Sequence, residues 1–549
     1  MNAQRNLLRL PRMLAVVALA IVATVVVACG GSDEDEPTAT AAADASESPT
    51  AAATLVAAGD ADLADVQEVT VRQYFEPGTL DPAFLFRIET ENIAFNIYSG
   101  LTTFDPATGA PMPDLAKSWD VSDDGLEYTF HLVGNAEWQH GYGAFTSADV
   151  VYSYDRVMDE AIGSPYRAEF NNVDSVTAMD DYTVVIKLKQ PDGNFLYQVG
   201  NYHQGQIVNQ QAIEDFGDDY GRNPVGTGPF YIDSWTPDSE MVLLAHEGYF
   251  RGRPTLDKIT WVLIRDVSAA ETAFLNGEVD VMSNLGQGNT ELIDRVAATE
   301  GVQVATSEDY ATFVTMFGSE FEPFQNRDVR LAYALAVDWG EITEQLTPRT
   351  ASPWSSILPP WMPIYNRDLV AYGYDPERAK ELLAGAGYAD GFTVHQVTTG
   401  VNDAGLLEQA MLAEVGIDMQ FEVVEPAVYN QRRNAGDFEL AGRLYPAVNP
   451  DTLLFGFLHP DNAAPAGLNG SKYDNPDVTR LLEEARASLD PEERLAKYYD
   501  AQQLVYDDVA YMTTRAATNL WASGGPIKNI QVNRLANVDF YPVYVAAGS

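Results

Sequence analysis

The residues of this chain that could do chemistry are scattered rather than grouped. Its histidines stand at 131, 140, 203, 246, 395 and 459, and no two are spaced as metal ligands on one helix face would be. There is no His-Glu-x-x-His run, and a single cysteine leaves too few thiolates for a structural zinc site. No Gly-x-Ser-x-Gly elbow presents a nucleophilic serine. No Gly-x-x-x-x-Gly-Lys-[Ser/Thr] loop is present to cradle the phosphates of a nucleotide. Gly385-Ala386-Gly387 closes a helical stretch instead of joining a strand to a helix, so it reads as a C-terminal cap. With 80 Asp and Glu, paired carboxylates discriminate little, and a secreted carbohydrate-active hydrolase stays open as the alternative. The residue types favour binding without turnover, with no catalytic residue, no metal and no cofactor.

Charge narrows the partners. The net charge of −47 opposes the phosphates of nucleic acid and an anionic membrane surface. It suits solubility in a salty or crowded exterior.

The N-terminus reads as a leader. Arg5, Arg9 and Arg12 precede an apolar run, Met13 to Ala28, that is too short for a comfortable membrane span. The run ends Val26-Val27-Ala28-Cys29, and Cys29 is the chain's only cysteine, so no intramolecular disulfide is possible. This ending resembles the bacterial lipobox. The resemblance implies cleavage before Cys29, which leaves 1–28 as a signal peptide, and lipidation of Cys29. Residues 29–65 are mostly Ala, Thr, Ser, Asp, Glu and Pro, with no Lys or Arg. Such a composition buries too little apolar surface to offset chain entropy, and a disordered acidic tether is expected.

The elements that must position a site come next. In Asn223-Pro224-Val225-Gly226-Thr227-Gly228-Pro229-Phe230, two prolines bracket two glycines. Pro fixes φ and Gly tolerates positive φ, so a rigid corner feeding a strand near Phe230 is expected. Before it, Val69–Val71 opens a strand and Glu91 to Tyr98 reads as a helix. Tyr128, Phe130 and Leu132 alternate with polar residues as a half-buried strand. Thr146 and Asp149 form a capping-box pattern. After the corner, strands are expected near 230–234, 241–245 and 259–264. Asp375-Pro376 starts a helix that stops at Gly385 or Gly387. Thr393–Thr398, Ala404–Val415 and Asp418–Val424 read as a parallel βαβ unit. Asn475-Pro476 and Asp490-Pro491 start two more capped helices. The first buries Val478, Leu481, Leu482 and Ala485, the second Leu495, Tyr499 and Gln502.

Several of these stretches carry a family pattern in order. They include Leu80-Asp81-Pro82, Pro113-Asp114-Leu115-Ala116, Val225-Gly226-Thr227-Gly228-Pro229-Phe230 and Gly277-Glu278-Val279-Asp280. Tyr374-Asp375-Pro376, Tyr473-Asp474-Asn475-Pro476 and Asp490-Pro491-Glu492-Glu493-Arg494 follow. Over roughly Val69 to Tyr544 the chain resembles the extracytoplasmic solute-binding proteins of ABC importers, in the peptide/nickel-binding family 5, in lipoprotein form.

The resemblance implies an α/β, two-lobed, periplasmic-binding-protein-like fold of type II, the large class with an extra N-terminal subdomain and a cleft between the lobes. Lobe I would comprise 66–104, 223–309 and 518–549, with 105–222 inserted as a subdomain. Lobe II would comprise 310–517, with the chain crossing near Tyr310 and returning near Thr518. The lobes would close on a ligand by hinge motion. The implied partners are a small-molecule or peptide solute and the transmembrane subunits of an ABC permease. The protein would be a monomer held to the membrane by its lipid alone, at the outer face of the cell membrane or in the periplasm. A surface interaction lipoprotein is the other alternative.

Site residues follow from the same resemblance. The loop from Ala83 to Ile88 lines the ligand cleft in relatives, which nominates Phe84, Phe86 and Arg87. Relatives place a ligand-contacting tyrosine near Tyr166. Peptide-binding relatives carry an Asp four residues before a Pro, where it pairs with the peptide's α-ammonium. Counted back from Pro450, its place here is Pro446. Three places earlier, where those relatives often have Trp, stands Arg443, and Gly442, Arg443, Tyr445 and Pro446 are the candidates of this strand. An enclosed ammonium without a counter-charge is disfavoured by on the order of 3–5 kcal/mol. Arg443, a planar bidentate donor, suits a carboxylate, phosphate or sugar acid instead; the alternatives are a register shifted by a few residues, with Asp451 or Glu439 supplying the acid, and a structural pairing of Arg443 with a neighbouring carboxylate.

Overall fold

A computed structural model describes residues 62–85, 87–106, 108–283, 285, 290–346, 354–446, 450–465 and 467–547. At 88, 290, 308–310, 445–446, 450–452, 515 and 517 the description is of backbone alone. The leader, Cys29, Phe86 and the tether up to residue 61 lie outside the described residues, as do the side chains of Tyr445 and Pro446.

The corner at 223–230 is built by close approach. A Cβ on Gly226 would lie 2.0 Å from the Ile97 carbonyl oxygen, and one on Gly228 2.6 Å from it. Neither glycine has a positive φ, so the expectation that backbone freedom selects them is corrected: lack of a side chain selects them. The buried Gln139 staples the corner. Its amide nitrogen donates to the carbonyls of Ile97, Gly228 and Phe230 at 3.0, 3.1 and 2.8 Å. Its Oε1 accepts the Gly226 N–H at 2.9 Å. The strand Phe230–Thr236 leaves this anchor directly.

That strand is one edge of a ten-stranded sheet. From the other edge the order is 417–423, 392–398, 440–446, 303–317, 511–523, 281–282, 68–73, 258–263, 240–245 and 230–236. The two middle strands, Gln303–Phe317 and Tyr511–Ser523, run antiparallel along most of their length. Their ladder breaks register between Ser307 and Ala311. The chain therefore passes from one half of the sheet to the other through a pair of neighbouring strands. Thr393↔Asp418 and their neighbours pair in parallel, as the βαβ pattern requires.

Apolar packing divides the same way. One core gathers Val69, Leu80, Phe130, Tyr154, Phe230, Ile259 and Trp521, so the segment 105–222 shares its interior with the strands of the first half. That segment adds a sheet of four strands, 116–121, 127–132, 183–188 and 173–180. Two further cores lie in the second half, around Trp354, Phe457 and Tyr498, and around Phe317, Tyr333 and Met419. Burying each such side chain is worth roughly 1.5–3 kcal/mol.

Local signals set most helix starts. Thr146 and Asp149 form both halves of the capping box on Ser147–Met158. Asp375, Asn475 and Asp490 each cap a helix that begins with Pro. Two expectations are corrected. The first helix runs Ile88–Ala94, with Glu89 and Glu91 in its first turn against the positive end of the dipole, rather than from Glu91 to Tyr98. The helix Pro491–Asp507 buries Tyr498, Ala501, Gln502 and Val505, which leaves Leu495 and Tyr499 half-buried. Gln502 fits inside because its amide is satisfied: it donates to the Ile364 carbonyl at 2.7 Å and accepts from Ser356 at 2.9 Å.

Candidate functional site

A cavity of about 300 Å³ opens in the second half of the sheet. It lies at the C-terminal ends of the parallel strands Phe392–Thr398 and Ile417–Val423 and at the start of the helix Asp403–Glu414. Crevices at that edge of a parallel arrangement collect ligands because helix N-termini and backbone ends converge there.

Gly442 and Arg443 both line this cavity, brought there by the ladder in which Thr315 faces Gly442 and Val314 faces Arg443. A Cβ at Gly442 would meet no protein atom within 4 Å, so the room beside it belongs to the cavity. The Tyr429 hydroxyl donates to the Gly442 carbonyl. The Arg433 guanidinium lies 5.3 Å from the centre of the Tyr429 ring. Burial pushes the Tyr429 hydroxyl up, and the charges of Arg433 and Arg443 offset part of that. The walls therefore carry two guanidinium groups and a phenol. Deeper in, Glu408 is 3% exposed and accepts the Tyr333 hydroxyl at 2.7 Å. The Nε1 of Trp339, also on the cavity wall, has no hydrogen-bond partner among the described residues.

A second cluster stands in the first half. Phe84 ends a short 3-10 turn, half-buried against the core there. Arg87 forks onto Glu89, with Nη2 to Oε1 at 3.0 Å and Nε to Oε2 at 3.2 Å, and its guanidinium lies 3.8 Å from the centre of the Phe75 ring. The Tyr74 hydroxyl donates to the same carboxylate. Tyr166 donates its hydroxyl to the Leu85 carbonyl, which ties down the loop that holds Arg87. Its ring stacks on His203 at 4.3 Å, and His203 Nε2 lies 2.8 Å from Glu91 Oε1. Burial pushes the Tyr166 hydroxyl up, and the negative charges of Glu91 and Glu169 add to it.

Beside this cluster is a pocket of about 10 Å³, room for one water, bounded by Tyr74, Glu89, Asn519 and Trp521. Asn519 Oδ1 and Trp521 Nε1 are buried with no partner among the described residues. Of the candidates whose side chains are described, Gly442 and Arg443 thus share the large cavity, while Phe84, Arg87 and Tyr166 gather in the other half.

The halves also touch away from the crossing strands. Asn194 Nδ2 donates to the Tyr498 hydroxyl at 2.9 Å, with both residues buried. The Gly193 N–H donates to the Arg486 carbonyl at 3.3 Å. A Cβ on Gly193 would strike the Arg494 guanidinium at 2.0 Å, so glycine lets the two surfaces meet.

Sequence reasoning passed over Glu408, Tyr429 and Arg433. A signal for each was present. Glu408 sits four residues before the buried Leu412, a charge within an apolar stripe. Tyr429 and Arg433 are an i, i+4 pair on the helix Pro426–Ala435.

Comparison with known proteins gives a consistent picture. Residues 110–465 match a family described as "Bacterial extracellular solute-binding proteins, family 5 Middle". The chain is 28% identical over 454 residues to heme-binding protein A of Haemophilus influenzae, covering 76% of this chain and 81% of that protein. It is 26% identical to a probable di/tripeptide-binding protein 5 of Pseudomonas aeruginosa, covering 81% and 89%. Among solved structures, the ABC transporter-associated periplasmic binding protein DppA from Helicobacter pylori, in complex with peptide STSA, superposes with a TM-score of 0.76 at 28% identity, covering 88% of this chain and 99% of that one. MoaA of A. tumefacien R10, in complex with mannopinic acid, gives 0.75 at 27%, covering 88% and 100%.

Proposed function

The chain belongs to the bacterial extracellular solute-binding proteins of family 5, and from that premise we propose a lipid-anchored receptor that captures a small anionic solute and delivers it to an ABC permease. Its fold is the two-lobed type II periplasmic-binding fold. In this reading lobe I comprises 66–104, 223–309 and 518–549 with 105–222 inserted, and lobe II comprises 310–517. The crossing strands Gln303–Phe317 and Tyr511–Ser523 are the hinge, and the contact of Asn194 with Tyr498 belongs to the closed state. Lipidated Cys29 is the anchor and 29–61 the tether that lifts a monomeric body off the membrane; the expected tether to 65 is shortened because the Ala64 N–H donates to the Val545 carbonyl at 2.9 Å and Leu63 bridges Ala546, which ties 62–65 to the C-terminal segment.

One observation carries the ligand class: the cavity at the strand ends is walled by Arg433 and Arg443. Arginines lining a cavity of this size favour a carboxylate, phosphate or sugar acid over an ammonium. Relatives of similar identity accept both kinds of solute, since one is in complex with a peptide and another with mannopinic acid. Calorimetry with free-amine peptides, the same peptides N-acetylated, and simple organic acids tests the reading. Organic acids should bind, and acetylation should not abolish whatever peptide binding is seen. Micromolar or tighter peptide binding that vanishes on acetylation refutes the anion reading.

A further inference from the structure

Glu408 stands out in this cavity because a buried carboxylate facing guanidinium-lined space does not suit an anion site if it is ionised. It projects from the helix Asp403–Glu414 on the stripe of Ala404 and Gly405, which also line the cavity. The elements packed around it offer few charges. From the helix Arg327–Ala336 comes the Tyr333 hydroxyl, a donor to Glu408 Oε1, with Tyr333 itself fully buried. Asp338, just before the helix Trp339–Leu346, turns its carboxylate to the Glu341 N–H, which donates to its Oδ1 at 2.9 Å. On the strand Ile417–Val423, Met419 faces inward while Asp418 and Glu422 are exposed on the other side. On the strand Phe392–Thr398, His395 is turned outward to Glu439 at 3.0 Å. Asp403 and Glu414, at the two ends of its own helix, are exposed. The remaining titratable groups of the cavity are Tyr429, Arg433 and Arg443.

We propose that Glu408 enters the ligand complex as the neutral acid and donates a hydrogen bond to the anionic group of the solute, so that binding takes up a proton. This rests on the reading of the cavity as an anion site. A neutral acid is a donor where a carboxylate is only an acceptor, and an anion brought beside it favours the protonated form. Burial already pushes the Glu408 carboxyl up to about 7 in the free protein, against an opposing effect of the Tyr333 hydrogen bond, so the acid form is at hand near neutral pH. Opposed to a cationic solute group, the same residue would give up its proton and accept as a carboxylate, so binding would release a proton instead of taking one up.

The test is calorimetry of the whole protein with gluconate, lactate and inorganic sulfate as probes, none of which titrates between pH 6 and pH 8. It is run at pH 6 and pH 8, each in two buffers of different ionisation heat. The best probe should bind about tenfold more weakly at pH 8, with close to one proton taken up there. Glu408→Gln, which keeps an acceptor for Tyr333, should abolish both the pH dependence and the proton uptake. Carbon-13 carboxyl resonances, with Glu408 assigned by that variant, should show a free midpoint near 7 that rises with probe. Probe binding with equal affinity at both pH values and no proton uptake overturns the role of Glu408 and leaves the anion site standing. Failure of every probe to bind wild type at pH 6 overturns the anion site and this inference together. Should Glu408→Gln not fold, the wild-type proton uptake decides alone.

Discussion

The Gly226 backbone lies against the Ile97 carbonyl so closely that a Cβ there would stand 2.0 Å from the oxygen. No side chain can relieve that contact, because both partners are backbone and Gln139 fixes both. Gly226→Ala is expected to lower stability by about 2–3 kcal/mol, read from the denaturant midpoint. Gly385→Ala, where a Cβ meets nothing and the site is helical, is the control and should raise stability by about 0.5–1 kcal/mol.

Arg443→Ala removes one of the two guanidiniums from the cavity wall. Binding of the best small organic acid should weaken at least 30-fold, equivalent to about 2 kcal/mol or more. Arg443→Lys should recover only part of the loss, since a point charge replaces a planar fork. Unchanged calorimetric affinity in Arg443→Ala would move the anion site elsewhere.

Glu408 also makes a prediction about stability alone. Its folded carboxyl, at about 7, lies above the ordinary glutamate value, so between roughly pH 4.5 and 7 the native state holds more protons than the unfolded state. Its burial therefore costs nothing below that window, and stability falls as pH rises through it. Glu408→Gln should be more stable than wild type at pH 8, by up to about 3 kcal/mol, and no more stable at pH 4.5. Parallel urea titrations across this range give the difference, and a constant difference would place the effect in packing rather than ionisation.

Tyr498→Phe deletes the hydroxyl that receives Asn194 while keeping the ring in its core. A buried neutral hydrogen bond contributes about 1 kcal/mol, so the closed state should lose about fivefold in population and ligand affinity should fall by a similar factor. X-ray scattering of the ligand-free variant should show an equal or larger radius of gyration than wild type. A smaller radius would contradict the assignment of this contact to closure.

Cys29→Ala should move the protein from the membrane fraction to the soluble fraction. Sedimentation of the variant with membranes would place the anchor elsewhere.

How much was legible in the sequence depends on the range of the interaction. Caps at Thr146, Asp375, Asn475 and Asp490 involve neighbours within a few residues, and the sequence carries them whole. The parallel pair around Thr393 and Asp418 follows from strand, helix, strand. The grounds for glycine at 226 were hidden because the obstacle is Ile97, more than a hundred residues away. Tyr166 could be nominated by position, but not its hydrogen bond to Leu85, which needs the folded loop. Glu408 was overlooked because a carboxylate inside an apolar stripe becomes informative only when the cavity behind it is seen.

The unbroken ten-stranded sheet has a mechanical consequence. With both chain passages side by side, and their pairing interrupted between Ser307 and Ala311, the two halves are joined by a ribbon rather than by separate struts. If the halves hinge as proposed, a ribbon that bends more readily across its flat face than in its plane would confine the motion nearly to one angular coordinate. A permease that senses that single angle would learn whether the receptor is loaded without touching the solute.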